Sequence, residues 1–582
     1  MNRWPLFLLT LALGLLIGAW AVQPPAPLPA DAPAEQFSAA RAMADVRVLA
    51  KEPHPTGSPA AKAVIAHLEQ RLAALGFTTR RVVTPLVGKP AERLAKWGGD
   101  PSQPATSLVA VRPGRDPSAP AIALMAHHDS VWASPGAADD IAGVAAVLEI
   151  ARAIPAAAQA RDLVLVLTDA EELGLVGARA IYAPGAAADP IADRTGVLIN
   201  LEARGGGGRA MMFQTGPNNG ALVDLLARSS PAANASSTAV TIYESLPNDT
   251  DFTPVLKRGI AGLNFAFIGE AWGYHSPLMT PERLDQGAVQ HLGDSVLGIT
   301  RALVTAPALP AATPSSVFAS VPVIGIIAYP AAAGWGVLAA AALCLVLAGW
   351  QRRADWTVAG CLMAVGQALL ALIIAGLLTF GLNLLSGSVG AEYYDRLAAL
   401  PRLEAIAGLA VLATLLLVAA APAGTLWERW LTWAHLSLLA ALALQFVLPG
   451  AGPVFAWPAL LAALSAAIGA LLWRQPEGGL VPLLPAALLG ATGLAIMAEL
   501  AHFAMLGIGA PMPWLLAPLL LPVLSLLAPL VPAGPALTGR RGPALTAALA
   551  SIALAAGVAL WVNLDDRAAS VPPYAGTEKK QG

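Results

Sequence analysis

Cysteine is scarce in this chain. Cys344 and Cys361 are the two in 582 residues, and both fall inside long apolar runs. The first half therefore has no disulfide and no thiolate metal ligand, and any metal held there must be bound by His, Asp and Glu. Charge is scarce too. Charged residues make up 12% of the chain and the formal net charge is −2, so no basic surface argues for nucleic acid as a partner. What takes their place is apolar: 56% hydrophobic residues and a mean hydropathy of +0.62, beyond an ordinary soluble protein. The excess is uneven. Residues 40–305 have the make-up of a soluble domain, whereas 322–565 is a series of apolar runs broken by short polar loops.

The N-terminal run "WPLFLLTLALGLLIGAWAV" is long enough to span a bilayer and long for a signal peptide, so residues 1–22 read as a membrane anchor. Residues 23–39, rich in Pro and Ala, read as a semi-rigid linker. A second linker is expected at 306–321, and a polar C-terminal tail at 566–582. Within 322–565 about eight spans are expected, at roughly 326–350, 356–384, 403–421, 432–449, 454–473, 480–505, 513–533 and 543–563. With the N-terminus inside, the loops on its side carry Arg352, Arg353, Arg429, Arg474, Arg540 and Arg541, and the opposite loops only Arg396 and Arg402. That bias follows the positive-inside rule and puts residues 40–305 on the periplasmic, extracellular or lumenal face.

Between 40 and 305, strand-like runs ("SLVAVRP", "AIALMAHHD", "DLVLVLTDA", "GVLINLEA", "MMFQTG", "GLNFAFIG") alternate with helical stretches such as "AAKAVIAHLEQRLAALG" and "GVAAVLEIARAI". The alternation predicts an α/β sandwich with a mostly parallel central sheet, followed by an all-α multi-span membrane domain. Ligands of such sheets gather where strands end.

The ionisable residues gather there as well. His127 and Asp129 leave one face of a strand end, as a ligand histidine with its orienting carboxylate or as a solvated surface pair. Asp139 and Asp140 lie in "GAADDIAG" before a helix, where an aspartate either bridges cations or caps the helix. Glu171 and Glu172 end the next apolar strand, as a plain turn or as a general base beside a metal ligand. Glu202 closes "VLINLE". Tyr274 and His275 come late, in a Gly-flanked loop.

The order "HHD", "ADD", "EE", "NLEA", "YHS", with twelve residues from His127 to Asp139, resembles the co-catalytic two-zinc aminopeptidase family. With the apolar half included, the chain is similar to its endoplasmic-reticulum metallopeptidase and vacuolar membrane protease branch, as are "EPHPTGSP" and "FQTGPNNG". The resemblance implies a zinc-aminopeptidase-like domain holding two Zn2+ ions and acting on peptides at a membrane. It makes Asp139 the bridging ligand, gives His127 and Glu202 to one zinc, and gives Glu172 and His275 to the other. Glu171 becomes the general base, Tyr274 the hydrogen-bond donor to the oxyanion, and Asp129 a catalytic residue beside His127. Met279 stands where the family usually has an acid, so outer-shell support of His275 is expected from Asp249 or Asp251.

The rival readings are a glutaminyl cyclase on the same scaffold, a non-enzymatic ectodomain, and a transporter function of the apolar half. For the last, Glu499 and His502 form an ionisable pair inside an expected span, either functional or mutually satisfied.

Overall fold

The computed structural model describes residues 3–185, 188–391, 393–473, 479–531 and 541–565. Arg474, Arg540 and the tail at 566–582, all named in the topology above, lie outside the described residues. The chain forms two compact units. One is built on Gln23–Ser320. The other contains the N-terminal helix Trp4–Ala21 and the helices from Gly334 onward.

The first unit is organised by an eight-stranded sheet of order β1-β2-β4-β3-β5-β8-β6-β7. Its strands are β1 (Thr78–Thr84), β2 (Ala105–Arg112), β3 (Ala121–His127), β4 (Leu163–Thr168), β5 (Thr195–Ala203), β6 (Met211–Thr215), β7 (Asn234–Ala235) and β8 (Ala261–Phe267). The central four, β4-β3-β5-β8, are parallel, while β1, β2 and β6 join antiparallel. The parallel centre follows from composition. "LVLVLT" and "AIALMAH" are buried at every position, as strands covered on both faces must be. The "VAAVLEIA" turns of helix Ile141–Ala153 pack there with small and branched side chains, all buried. The predicted strands correspond to β2, β3, β4, β5, β6 and β8. The edge strand β1, "TTRRVVT", was missed because its two arginines break the apolar signal.

The predicted linker at 23–39 is not a free spacer. Leu28 N donates to Gln290 Oε1 at 2.9 Å, and Arg41 binds the carbonyls of Ala30, Ala32 and Gln36. Phe37 is fully buried in the core. The same holds for the second linker, whose Ser316–Val321 forms a strand. Proline and alanine gave no sign of this docking, which is made by backbone atoms of the segment together with the buried Phe37 ring.

In the second unit, eight helices among the described residues are long and apolar enough to cross a membrane: Trp4–Ala21, Ala331–Gln351, Val358–Leu385, Leu400–Ala420, Leu426–Val447, Pro453–Leu472, Val481–Gly509 and Gly542–Leu564. With this apolar bundle the chain is an integral membrane protein. The predicted span at 513–533 is shorter: a 3-10 turn, Pro513–Leu519, runs into helix Leu520–Leu527. The "WERW" segment, read as loop, is the first turn of helix Leu426–Val447, and Arg429 is buried within it. The expected Glu499–His502 pair is also different in detail. His502 Nδ1 lies 2.8 Å from Glu404 Oε1, an acid on helix Leu400–Ala420 that the sequence did not single out.

Candidate metal centre

The parallel strands deliver their carboxyl ends to one place. His127 is the last residue of β3, the Asp169–Glu172 turn follows β4, Glu202 sits near the end of β5, and the Tyr274–His275 loop follows β8. Asp139 arrives from the turn that starts helix Ile141–Ala153. The five predicted ligands, His127, Asp139, Glu172, Glu202 and His275, are therefore brought together, and all five are buried.

Two sets of donors share Asp139. His127, Asp139 and Glu202 place one ligand atom each within 4.8 Å of one another, and so do Asp139, Glu172 and His275. Asp139 Oδ1 is 3.1 Å from His127 Nε2, and its Oδ2 is 3.0 Å from His275 Nε2. Glu172 Oε1 approaches His275 Nε2 to 2.9 Å, yet this buried oxygen has no hydrogen bond. One ring nitrogen cannot give its single proton to two carboxylates. Convergence of lone pairs without aligned protons is the arrangement a cation resolves, and the donor set fits one. Hard carboxylate oxygens with imidazole nitrogens suit zinc and its neighbours.

The second ring nitrogens and the surrounding acids hold this set in place. His127 Nδ1 donates to the Asp129 carbonyl at 3.1 Å, which leaves Nε2 facing Asp139 and Glu202. The Asp129 carboxylate accepts from the amides of Glu171 and Glu172, at 3.1 and 3.2 Å. These are the contacts of Asp129, grouped above with the catalytic candidates. It ties the β3 end to the turn after β4. Asp140 resolves the other ambiguity of "ADD". Its Oδ1 caps the helix at Gly143 N and its Oδ2 accepts from His127 N, while Asp139 faces the histidines. His275 occupies the left-handed region at φ +58, and its ring stacks on Tyr274 at 3.6 Å.

Electrostatics show how unstable this cluster is without positive charge. Two carboxylates about 5 Å apart repel by about 3 kcal/mol at an effective dielectric near 20. Burial pushes Glu202 up to about 8 and raises Glu171 and Glu172. Against the opposing effect of burial, Glu172 and Asp139 lift His275 to about 9. Despite its own burial, Asp139 is held well below the usual carboxylate range by hydrogen bonds to His127 and His275. Tyr274 is raised by burial and by Asp139, Glu172 and Glu171, so its hydroxyl keeps its proton.

The structure does not place Asp249 or Asp251 as the support expected for His275. Asp251 is fully buried and accepts from Thr168 Oγ1, and Asp249 is exposed and accepts from Thr253 Oγ1. Met279 is buried. Its carbonyl accepts from Ala137 N, two residues before Asp139, so it fills space under the loop rather than adding charge. Sequence reasoning also missed His54, whose Nε2 is buried without a partner and which burial lowers to about 4. Its neighbour Thr56 donates to Asp169 Oδ1. The signal was present in "EPHPTGSP", as an unusual cluster of turn residues around one histidine.

The first unit is thus a mixed α/β domain with a candidate metal centre, and the second an apolar helical bundle. Residues 107–300 match the model of Peptidase family M28. The chain is 33% identical over 217 residues to endoplasmic reticulum metallopeptidase 1 of Homo sapiens, covering 36% of this chain and 24% of that protein. It is 27% identical over 206 residues to the vacuolar membrane protease of Yarrowia lipolytica, covering 34% and 20%. The chain thus spans about a quarter of the length of the curated relatives it matches. Among solved structures, the aminopeptidase from Aneurinibacillus sp. strain AM-1 aligns with a TM-score of 0.37 at 15% identity, covering 48% of this chain and 97% of that one.

Proposed function

We propose that this chain is a membrane-anchored aminopeptidase that holds two zinc ions and removes N-terminal residues from peptides on the non-cytoplasmic face. The observation that carries the reading is the shared carboxylate: Asp139 turns one oxygen to each of two ligand sets. His127 and Glu202 would hold one ion with it, and Glu172 and His275 the other. When bound, two such ions polarise the scissile carbonyl and acidify water.

The chain's own residues supply the rest. Glu171 lies within 4.8 Å of His127 and Glu172 donor atoms, and burial raises its affinity for a proton, the direction a general base requires. It takes the proton of the attacking water and passes it to the leaving amine. The Tyr274 hydroxyl, fixed by stacking on His275, donates to the oxygen that gains charge on the substrate. Asp129 keeps His127 and the Glu171–Glu172 turn in register. Sidedness rests on the arginine bias of the loops, with the N-terminal helix as an uncleaved anchor.

The test is metal analysis of the purified full-length protein with an assay before and after chelation. Two zinc ions per chain and release of free amino acids from unblocked peptides, but not from N-acetylated ones, are expected. One ion per chain with cyclisation of glutaminyl peptides would give the site to the cyclase reading instead.

A further inference from the structure

Strand β5 carries an amide where its neighbours are apolar. Asn200 in "VLINLE" is fully buried, on the same face as Leu198, which packs with Phe252 and Val255. Glu202, two residues on, leaves that face too. A buried amide is costly unless its polar atoms are bonded, and the bonds of this one lead in two directions. Asn200 Nδ2 donates to Glu202 Oε1 and to Asn264 Oδ1, each at 3.1 Å. Asn264, fully buried on β8, is the register partner of Asn200. Its own Nδ2 donates to Gln214 Oε1 and Thr250 Oγ1, each at 3.0 Å. Gln214 lies opposite Asn264 on β6. Three amides on adjacent strands thus form one row, from β6 through β8 to β5, that ends on Glu202.

The row has a direction, and the carboxylate sets it. An ionised Glu202, the form that ligates a metal, only accepts. The amide beside it must therefore present N–H, and its second N–H needs a further acceptor, which Asn264 Oδ1 supplies. Asn264 is then turned with its hydrogens toward Gln214 and Thr250. Asn200 Oδ1 is left buried with no partner among the described residues. A pair of amides that served the sheet alone would exchange donors and acceptors and leave no such orphan. The consequence falls on the other carboxylate oxygen. With Oε1 engaged, Glu202 Oε2 is the oxygen that faces His127 Nε2, at 3.9 Å.

We infer that Asn200 is a positioning residue for Glu202, held in turn by Asn264 and Gln214, so that Glu202 offers its ion one oxygen, Oε2. The inference rests on the two-ion reading proposed above and adds the residues that orient one of the ligands. Partners that hold a ligand side chain set its orientation and the affinity for the metal. Both hydrogens of Asn200 are spent on Glu202 and Asn264. The row therefore acts on the ion of the His127 set and not on the ion of the Glu172 set.

The experiment uses full-length protein, freed of metal by chelation and titrated with zinc against a chromogenic chelator. Tm of the metal-free form is measured alongside. The wild type should bind two ions. Asn200→Leu nearly keeps the volume and removes the donor. It should hold one ion about 10–100-fold more weakly and the other as the wild type does. Asn264→Leu should weaken the same ion by less. The two residues act in series, so the double variant should match Asn200→Leu within about twofold rather than multiply the losses. Unchanged affinity for both ions in Asn200→Leu, whether or not Tm falls, would overturn the inference and leave the two-ion reading standing. Equal weakening of both ions would do the same. Should Asn200→Leu not fold, unchanged zinc affinity in Asn264→Leu overturns the inference instead. A wild type that binds fewer than two ions would overturn both readings.

Discussion

Asp139 stands between His127 and His275, with Oδ1 3.1 Å from one Nε2 and Oδ2 3.0 Å from the other. A single side chain thus joins two strand ends, those of β3 and β8, that are not neighbours in the sheet. Asp139→Asn keeps the shape and removes the charge. The expected result is loss of bound metal, with activity falling further than the ~100-fold typical of outer-shell losses. Metal analysis and rate are measured on the same sample. Retained metal with full activity would remove Asp139 from the bridging position.

Glu171 is tested by separating metal binding from turnover. Its neighbour Glu172 faces His275, and its own amide is held by Asp129, so Glu171→Gln should leave the ligands where they are. Metal content and Tm should match the wild type while kcat falls by about 10²–10⁴. Loss of metal in this variant would make Glu171 a ligand rather than the base.

The pH dependence of stability follows from groups that the cluster perturbs. Without metal, Glu202 holds a proton up to about pH 8 and His275 up to about 9 in the folded state. The unfolded chain releases these protons near ~4.3 and ~6.5. The folded state therefore binds more protons in that window, and the stability these groups give is lost as pH rises through 8 to 9. Asp139 is held low and ionises below the window, so it does not offset the trend. Metal needs the same groups deprotonated. The Tm gap between zinc-loaded and chelated protein should widen from pH 5.5 to 8.5, and a constant gap would contradict this account.

Backbone spacing in the sheet makes a separate prediction. A Cβ placed on Gly262 of β8 would lie 2.2 Å from the Leu198 carbonyl oxygen and 2.7 Å from the Phe252 ring. A carbonyl in the β5–β8 ladder cannot step aside without breaking its strand pairing. Gly262→Ala should cost about 3 kcal/mol, read as a lowered midpoint of denaturant unfolding for the sheet-bearing unit. A shift under ~0.5 kcal/mol, usual for surface changes, would show that the strands give way.

The parts of the molecule legible in the sequence are those where one residue type does one job. The buried runs of β3, β4 and β5 read as strands because nothing else tolerates so many branched apolar residues between turns. His127, Glu172 and Glu202 were singled out at or just after strand ends, Asp139 before a helix and His275 in a late loop, and the fold does bring the five together. What was not legible depends on long-range contacts. The packing of residues 23–38 on the first unit uses carbonyls, which carry no sequence signature. Asp140 and Asp139 are identical in type, and only the helix start decides which one caps and which one faces the histidines. Arg429 read as a loop cation because its helix begins at Leu426, six residues before the expected span at 432.

The short element at Pro513–Leu527 decides the topology of the last two loops. Prolines at 513, 518 and 522 lack the N–H that an α-helical ladder needs, and the first seven residues are 3-10. Seven residues rising about 2.0 Å each and eight rising about 1.5 Å give about 26 Å, against about 30 Å of hydrocarbon. We expect the element to cross, because crossing would put Arg540 and Arg541 on the same side as Arg352 and Arg353, as the positive-inside rule favours. In a background with Cys344 and Cys361 replaced by alanine, Thr538→Cys and Ala354→Cys should both resist a membrane-impermeant maleimide in intact cells. Both should react in inverted vesicles. Labelling of Thr538→Cys from outside, with Ala354→Cys protected, would show that the element enters the membrane and returns.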